Sequence, residues 1–242
     1  MIQSILDRLT ERLAALRFSE PVTHVYNPLI YARQPLGLYL EKYAGLGAPS
    51  LLLGMNPGPW GMAQTGVPFG AIPQVRDFLG IEAEVGKPEH EHPKRPIEGF
   101  RCTRQEVSGK RLWGWAEDHY GSPEAFFKRI FVHNYCPLIF LEASGRNLTP
   151  DKIKAAERRP LLEVCDLALR EAVEALRPER VIGVGGWATK RARAALGAME
   201  PAPEIGTVLH PSPASPAANR GWAPQAVAQL ADLGVDLGAG RS

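Results

Sequence analysis

Apolar residues recur along the chain at two spacings, and the two predict different elements. Ile5, Leu6, Leu9, Leu13 and Leu16 fall three and four apart and predict an amphipathic helix, with Ser4 and Asp7 forming a capping-box-like start. The pattern breaks up between Pro21 and Pro35, which reads as turns, and Leu38 to Tyr43 predicts a short helix. Ser50 to Met55 is an apolar run of strand length, ended by Asn56-Pro57-Gly58-Pro59. Residues 82–98 are polar and interrupted by Pro88, Pro93 and Pro96, so they are expected to form a surface loop, long enough to suggest a function or mobility. Ile130 to Asn134 predicts a second buried strand, closed by Cys136-Pro137. Leu161, Val164, Cys165, Ala168, Ala172 and Leu176 give the clearest helical stripe. A strand over Arg180 to Val184, a Gly185-Gly186 turn and a helix over Trp187 to Leu196 follow. A fourth strand, Ile205 to Leu209, ends at His210-Pro211-Ser212-Pro213, and a last helix covers Val227 to Leu233. Neither a repeat nor a low-complexity linker interrupts this order, which favours one domain over residues 1–242.

Strands separated by helices argue for an α/β domain whose parallel sheet is covered on both faces. Ligands of such sheets bind beyond the carboxyl ends of the strands. Three of the four predicted strands end there at polar side chains, Asn56, Asn134 and His210, each followed within three residues by proline. Each residue has an ordinary alternative. Asparagines near proline bond turn backbone, and a lone histidine is commonly a cap or a core residue. An asparagine also lacks a pKa suited to general-base work, but it can orient water or read a ligand's donors and acceptors.

Composition narrows the field by exclusion. The 242 residues are 45% hydrophobic and 22% charged, a globular balance with enough chain to bury a sizeable core. No apolar run approaches a bilayer span, and Met1 to Arg17 carries charges throughout, so neither a membrane anchor nor a secretory leader is expected. Cys102, Cys136 and Cys165 lie too far apart for a disulfide framework, a zinc site or an iron–sulfur site, and they suit a reducing cytosol. The 28 Lys and Arg against 26 Asp and Glu give a net charge of +2, which leans away from an obligate nucleic-acid coating protein.

Several local patterns carry weaker chemistry. Gly183-Val184-Gly185-Gly186-Trp187-Ala188 matches the strand-to-helix dinucleotide fingerprint, with Glu204 near the spacing of its ribose contact. Only one further strand follows it, so a nucleotide- or dinucleotide-binding protein is the alternative reading, and a plain tight turn the simpler one. His90 and His92 lack a third metal ligand and read as part of a solvated loop. Trp113 and Trp115 are expected in or near the core. The clusters Arg101, Arg104, Lys110, Arg111 and Lys190, Arg191, Arg193 are solvated faces, or a phosphate-contacting rim if the site handles nucleic acid. Asn147-Leu148-Thr149 is a glycosylation sequon by pattern alone.

The run from Gly54 to Gly70, Gly-Met-Asn-Pro-Gly-Pro-Trp-Gly-Met-Ala-Gln-Thr-Gly-Val-Pro-Phe-Gly, closely resembles the first motif of the single-strand-selective monofunctional uracil-DNA glycosylases. Arg104 to Gly109, Phe131 to Asn134 with Cys136 to Leu138, Ser144 to Pro150, His210 to Pro213 and Ala218 to Trp222 resemble further segments of that family in the same order. The resemblance extends from about Tyr26 to the last helix. It implies a three-layer sandwich, with a central four-stranded parallel sheet flanked by helices, and hydrolysis of the N-glycosidic bond of uracil and 5-substituted uracils in DNA. No cofactor, metal or lyase step is implied. The implied partner is DNA, single- or double-stranded, containing uracil or another deaminated base. The implied protein is a monomer of the bacterial cytosol or nucleoid, or of a eukaryotic nucleus.

The resemblance also implies roles for single residues. Phe69 would stack on the flipped pyrimidine, Asn134 would read its Watson–Crick edge, and Met55 and Gly58 would line the region beside C5. His210 would donate to O2 as charge develops there, and Asn56 would position the attacking water, with no carboxylate base at that position. Pro211, Ser212, Pro213, Ala214, Ser215 and Arg220 would contact DNA. The chain departs from the family pattern at two places. Ala214 stands where relatives commonly carry an arginine that wedges the gap left by the flipped base, and Trp60 stands where phenylalanine is more usual.

Overall fold

The apolar runs read as strands assemble into one parallel sheet. A computed structural model describes residues 2–239; Met1 and residues 240–242, the two ends of the domain expected over 1–242, lie outside the described residues. In chain order the first elements are α1 (Ile2–Ala14), β1 (His24–Tyr26), α2 (Pro28–Tyr31), α3 (Arg33–Tyr43), β2 (Ser50–Gly54) and α4 (Met62–Thr65). Next come α5 (Val107–Tyr120), α6 (Pro123–Phe127), β3 (Ile130–Asn134), β4 (Ile139–Leu141), β5 (Asn147–Leu148) and α7 (Ala155–Leu176). The chain ends with β6 (Arg180–Val184), α8 (Gly186–Leu196), β7 (Glu204–Val208), α9 (Pro216–Asn219) and α10 (Trp222–Asp232).

The central sheet has the order β3-β2-β6-β7, all parallel. All five residues of β2 are buried, as a strand covered on both faces requires, whereas edge strand β7 alternates exposed and covered positions. Helix α8 packs on β6 and β7 and against α7, which carries α1, while α5, α6 and α10 form a second group that reaches β3 and β7. The register pairs Gly54 with Asn134, Leu53 with Gly183 and Val184 with Val208, so the carboxyl ends of the strands open along one side.

The structure corrects several expectations. Ser4 does not cap α1: the helix starts earlier, Ser4 is exposed within it, and Asp7 pairs with Arg33 at 2.8 Å. The Pro21–Pro35 region holds β1 and α2, with the Asn27 side chain accepting from Leu29 N–H at the helix start. Strand β1 joins β4 and β5 in a small antiparallel sheet whose two- and three-residue strands are too short to give a period. Helix α7 begins before Pro160, which lies inside it and removes one backbone donor without ending it.

The loop 82–98 is irregular, as expected, but it is not a solvated excursion. His92 and Ile97 are each 2% exposed, and Tyr26 Oη accepts from His92 N–H while donating to the Arg95 carbonyl. The expectation that His90 and His92 share a solvated loop therefore fails for His92. Its ring meets His24 edge-on at 4.7 Å and its Nδ1 accepts from Lys94 N–H, so it anchors the loop.

Candidate active site

At the carboxyl ends of the strands lies a pocket of about 190 Å³. It is small beside pockets for drug-sized ligands, a size suited to one flat heterocycle. Asn56, Asn134 and His210 all line it, as do Met55, Gly58 and Phe69. Asn134 closes β3, and its neighbours Tyr135 and Cys136 donate backbone N–H to the carbonyls of Gly54 and Met55, so the segments after β2 and β3 are tied together. Asn56 follows two residues after β2, and its Nδ2 donates to the Leu138 carbonyl at 3.2 Å, which leaves Oδ1 for another donor. His210 follows β7 through Leu209. The two backbone groups of Leu209 are both held from α10, N–H by Gln229 Oε1 at 2.7 Å and carbonyl by Trp222 Nε1 at 2.6 Å.

Phe69 is held in a conformation that costs energy. Its φ is 55°, in the left-handed region that bulky side chains avoid. Its carbonyl accepts from Ala71 N–H at 2.8 Å, and α5 passes so close that a Cβ on Gly109 would lie 1.8 Å from that oxygen. The ring stands 6.1 Å from the His210 ring, centroid to centroid, and touches Gly54, where a Cβ would meet Phe69 at 2.7 Å and Asn134 Oδ1 at 2.2 Å. A glycine at 54 therefore lets the aromatic face and the amide share one space.

Asn134 is 6% exposed; its Nδ2 donates to Met62 Sδ at 3.1 Å, and its buried Oδ1 has no protein partner. An unpaired buried acceptor is costly unless a ligand donor completes it. His210 Nδ1 accepts from Ser212 N–H at 3.0 Å, which places the ring proton on Nε2 in the neutral form. Burial lowers the pKa of His210 and favours that neutral form.

Residues of the family-like segments that carry no role from the sequence complete the wall: Pro57, Met62, Glu106, Ser108, Asn147 and Thr149. Although position 56 carries no carboxylate, the pocket contains one in Glu106. Its carboxyl accepts from Ser108 N–H at 3.2 Å as the cap of α5, and burial raises its pKa. A Cβ on Gly58 would lie 2.3 Å from Glu106 Oε2, so Gly58 leaves the room that this carboxyl occupies. Asn147, which has a place in a family-like segment and in a sequon but no role from the sequence, donates Nδ2 to the Pro57 carbonyl at 3.5 Å from β5. The small sheet that carries it has no periodic signal, so the sequence marks the segment by resemblance but not the strand that brings Asn147 to the pocket.

The residues expected at the DNA surface divide. Ser212 and Ser215 are half-buried and Pro213, Ala214 and Arg220 exposed, on the loop after His210 and at the end of α9. Pro211 is buried and its carbonyl accepts from Arg111 Nη1 at 3.0 Å, so it shapes the loop and presents no surface to a strand. Arg111 also donates to Asn219 Oδ1 at 2.8 Å, and Arg191 is paired with Asp166 and lies over the Tyr135 ring. Arg191 is thus compensated by a carboxylate, whereas Arg111 bonds neutral acceptors and keeps its charge beside the His210 loop.

The dinucleotide reading fails on position. Glu204 opens β7 and pairs with Arg180 at 2.9 Å, at the opposite end of the strands from Gly185. A Cβ on Gly183 would lie 2.3 Å from Thr189 N, and one on Gly185 would lie 3.3 Å from His210 Cβ. These glycines let α8 and the His210 loop pack closely. Cys102, Cys136 and Cys165 are buried and free, and among the described residues no cluster of three His, Cys, Asp or Glu forms a metal site.

Comparison with known proteins gives one answer at the level of sequence and fold. Residues 41–231 match the model of the uracil DNA glycosylase superfamily. The single-strand selective monofunctional uracil-DNA glycosylases of Rattus norvegicus and Bos taurus are each 50% identical over 228 residues, 94% of this chain and 82% and 84% of theirs. The crystal structure of wild-type SMUG2 from Pedobacter heparinus superposes with a TM-score of 0.66 at 18% identity, over 95% of this chain and 98% of that one, a likeness of fold. The chain thus belongs to the uracil-DNA glycosylase superfamily, in its single-strand-selective monofunctional family.

Proposed function

We propose that the protein is a monofunctional uracil-DNA glycosylase that flips uracil from DNA, hydrolyses its N-glycosidic bond and leaves an abasic site. The observation that carries this reading is the buried, unpartnered Oδ1 of Asn134 beside the Phe69 ring. Uracil offers N3–H to that oxygen and O4 to the amide N–H, which turns from Met62 to reach it. Cytosine presents the reverse pattern and leaves buried polar atoms opposed, so selection follows from unpaired groups. Flipping costs least for an unpaired base, which fits single-stranded substrate.

Departure of the base leaves negative charge on O2 and oxocarbenium character on the sugar. The Nε2–H of His210 donates to O2 as that charge grows; the Ser212 bond to Nδ1 fixes the tautomer that does so. Asn56, anchored through Nδ2, presents Oδ1 to a water on the sugar side. The electrophilic sugar needs an oriented water more than a strong base.

On this reading the whole chain works as one domain and as a monomer, on single strands first and on duplex more weakly. Ala214, exposed at the loop tip, is too small to fill the gap left by a flipped base. The protein would act in the cytosol or nucleoid of a bacterium, or in a nucleus; among the described residues no helix is long and apolar enough to cross a membrane. The test is a single-stranded oligonucleotide with one uracil, incubated with protein in EDTA and then heated in alkali. Cleavage at uracil is expected, and an intact strand refutes the assignment.

A further inference from the structure

Beyond Glu106, which lines both spaces, the base pocket adjoins a second cleft of about 450 Å³. Its apolar surface includes buried Ile72 and half-buried Phe100, and its rim carries Arg76, Arg101, Arg104 and Lys110, all exposed. Arg76 is paired with Asp77 at 2.8 Å. Among the described residues Arg101, Arg104 and Lys110 have no carboxylate at ion-pair distance. Arg104 lies 5.4 Å from the ring centroid of Trp60, a residue of the segment that bounds the base pocket, and Arg95 lies 5.1 Å from the same ring. Stacking on an indole orients a guanidinium without neutralising it.

An aromatic side chain beside uncompensated cations is the combination by which proteins hold single-stranded nucleic acid without reading its sequence: bases stack and phosphates pair. Resting on the glycosylase reading, we infer that this cleft receives the nucleotide adjacent to the flipped one on the same strand, its base against Phe100 and Ile72 and its phosphate among Arg101, Arg104 and Lys110. The cleft lies beside the base pocket across the shared Glu106, and that adjacency argues for this occupant, because the next nucleotide of an engaged strand is tethered nearby. In a duplex that neighbouring base stays paired and stacked and cannot enter. The cleft therefore builds a preference for single strands into the enzyme itself, in addition to the lower cost of flipping an unpaired base.

The test compares kcat/KM on four substrates: a uracil-containing single strand, the same strand with an abasic analogue on the 5′ side of uracil, the same with it on the 3′ side, and the duplex. Removing the neighbouring base on one side should lower the single-strand value about tenfold, within the range of one stacked base. Phe100→Ala should erase that dependence and lower the ratio of single-strand to duplex activity by a similar factor. Lys110→Gln, an exposed change that spares the core, should raise KM on single strands and make the salt slope shallower by about 0.7. Wild-type rates indifferent to both neighbouring bases, a Phe100→Ala loss equal on both strand forms, or an unchanged Lys110→Gln salt slope would each overturn the cleft while leaving the glycosylase standing. Failure to cut uracil in any substrate would overturn the glycosylase reading and the cleft with it.

Discussion

His210 shows how one backbone contact sets the chemistry of a side chain. With Ser212 N–H on Nδ1, the neutral ring donates through Nε2 toward the pocket; a second proton would have to sit on Nδ1, against that N–H. Burial opposes the charge as well and lowers the pKa below its ordinary 6.5. The expected pH–rate profile is therefore flat downward through pH 6.5, with any inflection due to His210 below it. An inflection at or above 6.5 that disappears in His210→Gln would contradict this tautomer. Removing the donor in His210→Ala should lower kcat about 10²–10³-fold with Tm nearly unchanged, the usual loss for one such donor. The strand-end residues are legible in the sequence because Asn56, Asn134 and His210 each interrupt an apolar run just ahead of proline. Glu106 stands in a family-like segment, but its role is not legible, since nothing local distinguishes a carboxylate that caps a helix from one that also walls a pocket.

Between elements, the pocket depends on the closeness of α5 to the segment after α4. The left-handed Phe69 sits where α5 comes nearest, and Gly109 is the point of closest approach to its carbonyl. Gly109→Ala brings a methyl to 1.8 Å from the Phe69 carbonyl, so either α5 or the Phe69 turn must move. Overpacking of this kind costs about 1–3 kcal/mol. The variant should show a lower Tm and a KM for single-stranded substrate raised more than kcat falls, because the stacking face shifts while His210 and Asn56 are held from β2, β7 and α10. Wild-type KM in Gly109→Ala would show that Phe69 does not depend on this contact. The long periodic elements are readable from the chain, whereas α5 is not. Its buried stripe of Leu112, Trp113, Trp115 and Ala116 is interrupted by glycines at 109 and 114, which read as breakers although the first marks the contact of α5 with the Phe69 turn. Likewise Pro160 hides the first turns of α7, because a proline's lost hydrogen bond is tolerable when packing on α1 and α8 holds the rest of the helix.

At the scale of the whole molecule, buried histidines and the placement of charge govern how the protein responds to its solution. His133 on β3 is pushed down to about 4 by burial, against 6.5 in an unfolded chain. Between those values the unfolded state binds the extra proton, so unfolding free energy falls as pH drops from about 6.5 toward about 4 and levels off for this group below that. His210 adds to the loss with the same sign. Tm should therefore fall through this window, and less steeply in His133→Gln; parallel profiles would remove His133 from the acid response. The net charge of +2 understates affinity for DNA, because many cations are committed to internal pairs: Arg8 and Arg12 on Glu171, Arg180 on Glu204, Arg191 on Asp166. Those that remain near the pocket are few, chiefly Arg101, Arg104 and Lys110 at the cleft and Arg111 and Arg220 around the His210 loop. An enzyme that must leave each abasic product benefits from so short a rim. Each phosphate neutralised on a single strand contributes about −0.7 to the slope of log K against log salt, so five or fewer contacts give a slope no steeper than about −3.5. Binding of a single strand carrying a non-hydrolysable uridine analogue, titrated across salt, measures that slope directly. A value corresponding to about six to ten phosphates would mean that the strand runs well beyond the pocket and its neighbouring cleft, over cations that the fold does not gather at the strand ends.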